Sequence, residues 1–85
     1  MHKNNLQLIK LATASKLPSH VLARYMDVST STYYGYRCEA DSERYSSVPD
    51  LRLKTLKDEL LTRNFITEER ILLIENECNQ EKAAA

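Results

Sequence analysis

Glycine occurs once in these 85 residues, proline twice and tryptophan never. Tight β-hairpins draw on residues that accept positive backbone dihedrals without steric cost, and so little glycine leaves few candidates. β-branched alternation at period two is also missing, so the expected fold class is all-α. No apolar run approaches the roughly 18 residues of a membrane-spanning helix. Met1-His-Lys-Asn-Asn5 lacks the apolar stretch of a secretory leader, and no membrane association is expected. The two cysteines, Cys38 and Cys78, form no Cys-x-x-Cys pair, and the expectation is two reduced thiols in a cytoplasmic protein. His2, His20, Cys38 and Cys78 can be counted as four ligands, but their spacing matches no zinc module, so neither metal nor cofactor is expected. There is no glycine-rich phosphate loop, no nucleophile beside a histidine and no carboxylate pair in a predicted cleft. The chain therefore reads as having no catalytic residue and no small-molecule substrate.

Net charge is absent as well, but the balance is uneven along the chain. Lys and Arg number 12, as do Asp and Glu. Residues 1–37 carry Lys3, Lys10, Lys16, Arg24 and Arg37 against Asp27 alone, whereas residues 38–85 are net acidic. A basic half and an acidic half point to separate tasks.

Apolar spacing divides the chain into five helical segments. Residues 5–15 place Leu6, Ile9 and Ala12 on one face, with Leu8 and Leu11 beside it and Asn4 or Asn5 as a cap. Lys16-Leu17-Pro18 ends that helix, and Pro18 or Ser19 opens the next. A third helix spans about Thr30 to Arg37 or Cys38. Residues 39–49 show no apolar period and read as a polar linker. Asp50 is placed to cap a fourth helix with Leu51, Leu53, Leu56, Leu60 and Leu61. Thr67 caps a fifth, with Glu68 and Glu69 at its positive end and Ile66 and Ile71 at the spacing of a hydrophobic staple. So few residues join the last two helices that an antiparallel hairpin over 50–82 is expected. Ala83-Ala-Ala85 reads as a cloning scar.

The densest signal lies in Ser19–Tyr36. Leu22, Ala23 and Met26 share one helical face, Val28 is a turn residue, and Tyr33 and Tyr36 share the inner face of the next helix. Ser29 between them is a good N-cap. Ala23 is small, as steeply crossing helices require. This is the pattern a helix-turn-helix needs. The run Leu22-Ala-Arg-Tyr-Met-Asp-Val-Ser-Thr-Ser-Thr-Tyr-Tyr34 resembles the helix-turn-helix of small bacterial and phage DNA-binding regulators, transposase segments among them. Asp27 stands where that family usually carries glycine, and Asp tolerates left-handed backbone better than most residues.

The resemblance implies a regulator that occupies double-stranded DNA with the helix from Ser29 in the major groove. Thr30, Ser31 and Tyr34 are then the expected base contacts, and Ser19, His20, Arg24 and Arg37 the phosphate contacts. Gly35 would allow close approach to the duplex. Hydroxyl groups discriminate bases weakly, so pairing of two copies is expected to supply affinity. Leu56–Arg70 resembles short oligomerisation hairpins of bacterial proteins, with Asn64 where those have glycine. Leu53, Leu56, Leu60, Ile71 and Ile74 are the expected homodimer surface, the alternative being that this hairpin folds back on its own helix-turn-helix and leaves a monomer. The competing function class is a protein-interaction module, an adaptor or inhibitor working through the acidic C-terminal helices.

Overall fold

Local chemistry sets where each helix starts and stops. A computed structural model describes residues 2–84, with side chains through Asn79. It contains α1 (Lys3–Ser15), α2 (Ser19–Tyr25), α3 (Thr30–Arg37), α4 (Asp50–Thr62) and α5 (Glu68–Ala84). The described residues include no strand and no helix long and apolar enough to cross a membrane. α5 continues through Ala83 and Ala84, while Ala85 lies outside the described residues.

The cap of α1 is His2, whose Nδ1 accepts from the Asn4 amide at 3.2 Å. Asn4 and Asn5, expected there, lie inside the helix. Pro18 and Pro49, both extended, precede α2 and α4. The Ser29 hydroxyl caps α3 by accepting from Thr32 N at 3.1 Å, and Thr67 Oγ1 accepts from Arg70 N at 3.2 Å at the start of α5. Asp50 makes no such bond. It is the first residue of α4, and its carboxylate accepts from Asn4 Nδ2 at 2.6 Å. Three residues take left-handed backbone: Lys16 (φ 58°), Asp27 (φ 58°) and Asn64 (φ 62°). Asp27 and Asn64 hold the two turns where glycine is customary, because their short polar side chains tolerate this conformation.

α1 is the hub, packing against α3, α4 and α5. Its buried face differs from the expected stripe. Leu8 and Leu11 are fully buried with Ala12, while Leu6 and Ile9 are only half-covered. The reason is the loop after α3. Asn5 Nδ2 donates to the carbonyls of Tyr36 (2.9 Å) and Ser46 (2.8 Å), and its Oδ1 accepts from Val48 N (2.9 Å). Asn4 Nδ2 also donates to Val48 O at 2.9 Å. The paired asparagines rotate their own face inward, since buried polar groups are tolerated only when bonded.

Residues 39–49 are therefore no free linker, at least at their C-terminal end. Val48 is 1% exposed and belongs to the same core as Leu22, Met26, Tyr33 and Leu56. One apolar cluster runs from Leu8 to Cys78, so the three expected units share a single core.

The expectation for the last two helices is corrected in the same way. α4 packs on α1 and α2, and α5 principally on α1, so the two are held by α1 more than by each other. Leu53, Leu56, Leu60, Ile71 and Ile74, expected as a dimer surface, are at most 6% exposed within the single chain. Charged pairs tie the periphery. Lys57 meets Glu75 at 2.7 Å, Lys10 meets Glu77 at 3.3 Å, and Arg52 of α4 meets Asp27 at 3.6 Å. Arg63 donates to Glu59 at 2.9 Å and stacks 4.9 Å from the Tyr25 ring centroid. The Glu59 hydrogen bond raises its pKa further above the ordinary guanidinium value.

Candidate nucleic-acid interface

α3 has a locked side and an open side. Tyr33 is fully buried and Tyr36 nearly so, while Leu22, Ala23 and Met26 of α2 pack inward from the other half of the unit. Val28 is half-buried against this core, and its N–H donates back to Ala23 O at 3.1 Å, closing the turn. The small Ala23, 2% exposed, sits where α2 and α3 meet.

The open side begins at the N-terminus of α3. Thr30, Ser31 and Tyr34 are exposed, Tyr34 to 57%. The hydroxyls of Thr30 and Ser31 enter no hydrogen bond among the described residues, in contrast to Ser29, which both accepts from Thr32 N and donates to Thr32 Oγ1. On α2, His20 and Arg24 are exposed and Ser19 is half-buried. A shallow depression of about 510 Å³ lined by His20, Arg24, Asp27 and Thr30, among others, brings the α2 cations to the same rim as the start of α3. Asp27 would oppose a polyanion there, but Arg52 offsets its charge from α4.

Arg37 is more constrained than its sequence position suggests. Its Nη1 donates to Tyr33 Oη at 2.8 Å, and its guanidinium lies 5.8 Å from that ring's centroid. This anchors it along α3 with other N–H groups left to donate, an arrangement suited to a phosphate oxygen.

Gly35 has a different role from the expected one. It is buried, and a Cβ added there would stand 2.9 Å from the Arg44 carbonyl oxygen. Ser46 N also donates to Gly35 O at 3.1 Å. The close approach that this glycine permits is to the chain's own returning loop. That loop delivers Arg44 to a second concavity, shared with Ser31, Tyr34 and Cys38. Sequence reading missed Arg44, because helical periodicity says nothing about where a loop returns. The same loop carries exposed Glu39, Asp41 and Glu43 beyond the C-terminal end of α3. Their charge would bias a polyanion toward the N-terminal half of the helix.

Among the described residues neither Cys38 nor Cys78 is in a disulfide, and no three His, Cys, Asp or Glu residues gather as a metal-binding group. Compared with known proteins, the chain matches no family model, no curated sequence and no solved structure.

Proposed function

We propose that this chain is a sequence-specific DNA-binding regulator of transcription, with α2 and α3 as a helix-turn-helix and α3 as the recognition helix. The observation that carries the reading is the pair of unengaged hydroxyls, Thr30 and Ser31, at the exposed start of a helix whose opposite face is fixed in the core. In this class of motif those positions reach base edges. Thr30, Ser31 and Tyr34 contact bases in the major groove. Ser19, His20, Arg24 and Arg37 hold phosphates, and Arg44 joins them from the loop. Two copies on an inverted repeat, with reading helices about 34 Å apart, compensate for the weak discrimination of hydroxyl contacts.

Selection of bound fragments from random DNA at near-physiological salt tests this reading. Enrichment of a defined site whose affinity falls steeply with salt is the expected result. Replacing Thr30 and Ser31 together by Ala is expected to cost about tenfold in affinity for that site, while thermal stability stays near the parent's. No enrichment by folded protein overturns DNA binding, and unchanged affinity in the double variant overturns the assigned reading face.

A further inference from the structure

Two turns of the chain end a helix with the same hydrogen bonds. After α2, Asp27 N donates to Arg24 O at 3.0 Å and Val28 N to Ala23 O at 3.1 Å, around the left-handed Asp27. After α4, Asn64 N donates to Leu61 O at 3.1 Å and Phe65 N to Leu60 O at 2.9 Å, around the left-handed Asn64. This is the Schellman arrangement, which satisfies two of the last carbonyls of a helix. A neutral Asn serves the second turn, so the backbone does not require the charge that Asp27 brings to the first.

Two groups at the first turn remain for another part of the molecule to satisfy. Met26 O accepts from no backbone N–H among the described residues. The Asp27 carboxylate, 89% exposed, belongs to the same depression as His20, Arg24 and Thr30. One side chain from outside the α2–α3 unit meets both groups. Arg52 of α4 donates through Nη1 to Met26 O at 3.4 Å, and the same nitrogen lies 3.6 Å from Asp27 Oδ2. A cation at this point also complements the negative end of α2. We infer that Arg52 is a positioning residue for the helix-turn-helix, although it stands 26 positions along the chain from the carbonyl it bonds. It holds the end of α2, and with it the direction in which the chain leaves toward α3. It also neutralises a carboxylate on the rim assigned to phosphates. Its effect on affinity rests on the DNA-binding reading; its hold on the turn does not.

Arg52→Ala, made in the parent and in Asp27→Asn, tests both roles in the full chain. Asn64 shows that Asn accepts this backbone, so Asp27→Asn removes the charge and keeps the turn. Without nucleic acid, Arg52→Ala is expected to lower the exchange protection of the Val28 amide several-fold, while the Leu56 amide in the core keeps the parent's protection. Affinity for the selected DNA site is expected to fall about fivefold in the parent background, the upper range for an exposed ion pair. In Asp27→Asn, where only the bond to Met26 O is lost, the expected fall is about twofold. Arg52→Lys keeps the charge and is expected to retain most of the affinity. Unchanged Val28 protection overturns the hold on the turn. Equal affinity losses in the two backgrounds make Arg52 a phosphate contact in its own right and overturn the neutralising role. A parent that selects no DNA overturns the DNA reading, and a Val28 amide loosened by Arg52→Ala still supports the hold on the turn.

Discussion

The α2–α3 unit and the α4–α5 pair both present helical patterns that point outward when read from sequence, yet only one kept that outward face. In α3 the buried tyrosines fix one side, so Thr30, Ser31 and Tyr34 have nowhere to face except solvent. In α4 and α5 the leucines and isoleucines expected to bind a second copy are spent on α1 and α2. A polar face opposite an aromatic pair has one destination. An apolar stripe has two, its own chain or a partner, and the hydrophobic effect is non-directional. The residues that remain exposed on α5, Leu72 and Leu73, stand off the main apolar row of Ile71, Ile74 and Cys78.

Truncation of Leu56 is expected to have the largest effect. As a fully buried core residue, Leu56→Ala is expected to lower the unfolding free energy by about 3 kcal/mol, independent of protein concentration, in urea titrations. A loss that appears only at concentrations where the chain associates would return Leu56 to an interface. Next in size is Asn5→Ala. It strands the Tyr36 and Ser46 carbonyls and the Val48 N–H, with an expected cost of about 2 kcal/mol and lost amide-exchange protection at Val48. A neutral result would mean that residues 46–48 are held by something other than the asparagine clamp. The smallest effect sharpens the α3 side. Ser29→Ala removes the cap bond to Thr32 N and is expected to cost about 1 kcal/mol. Because the cap also orders Thr30 and Ser31, the proposed DNA binding is expected to weaken with it; stability loss without affinity loss would separate the helix start from base reading.

Much of the local structure was legible in the residues themselves. Caps and turns depend on neighbours a few positions away, so Ser29, Thr67, Asp27 and Asn64 announced their parts. The inward set of Leu22, Ala23, Met26, Tyr33 and Tyr36 followed from periodicity and is buried as expected. The α1 face was misread because Asn4 and Asn5 look like solvent or cap residues until residues 46–50 arrive to bond them. Arg44 escaped notice and Gly35 was given the wrong neighbour for the same reason, since both depend on where the loop returns.

Five helices, the caps at Ser29 and Thr67 and the polar start of α3 follow from the residues alone, because these rest on short spacings along the chain. Which apolar stripes close on the chain itself, and which residues the loop pins against α1, was decided only in the tertiary structure. Those choices pair groups more than 30 positions apart, such as Asn5 with Tyr36 and Asn4 with Val48, and no local periodicity encodes them.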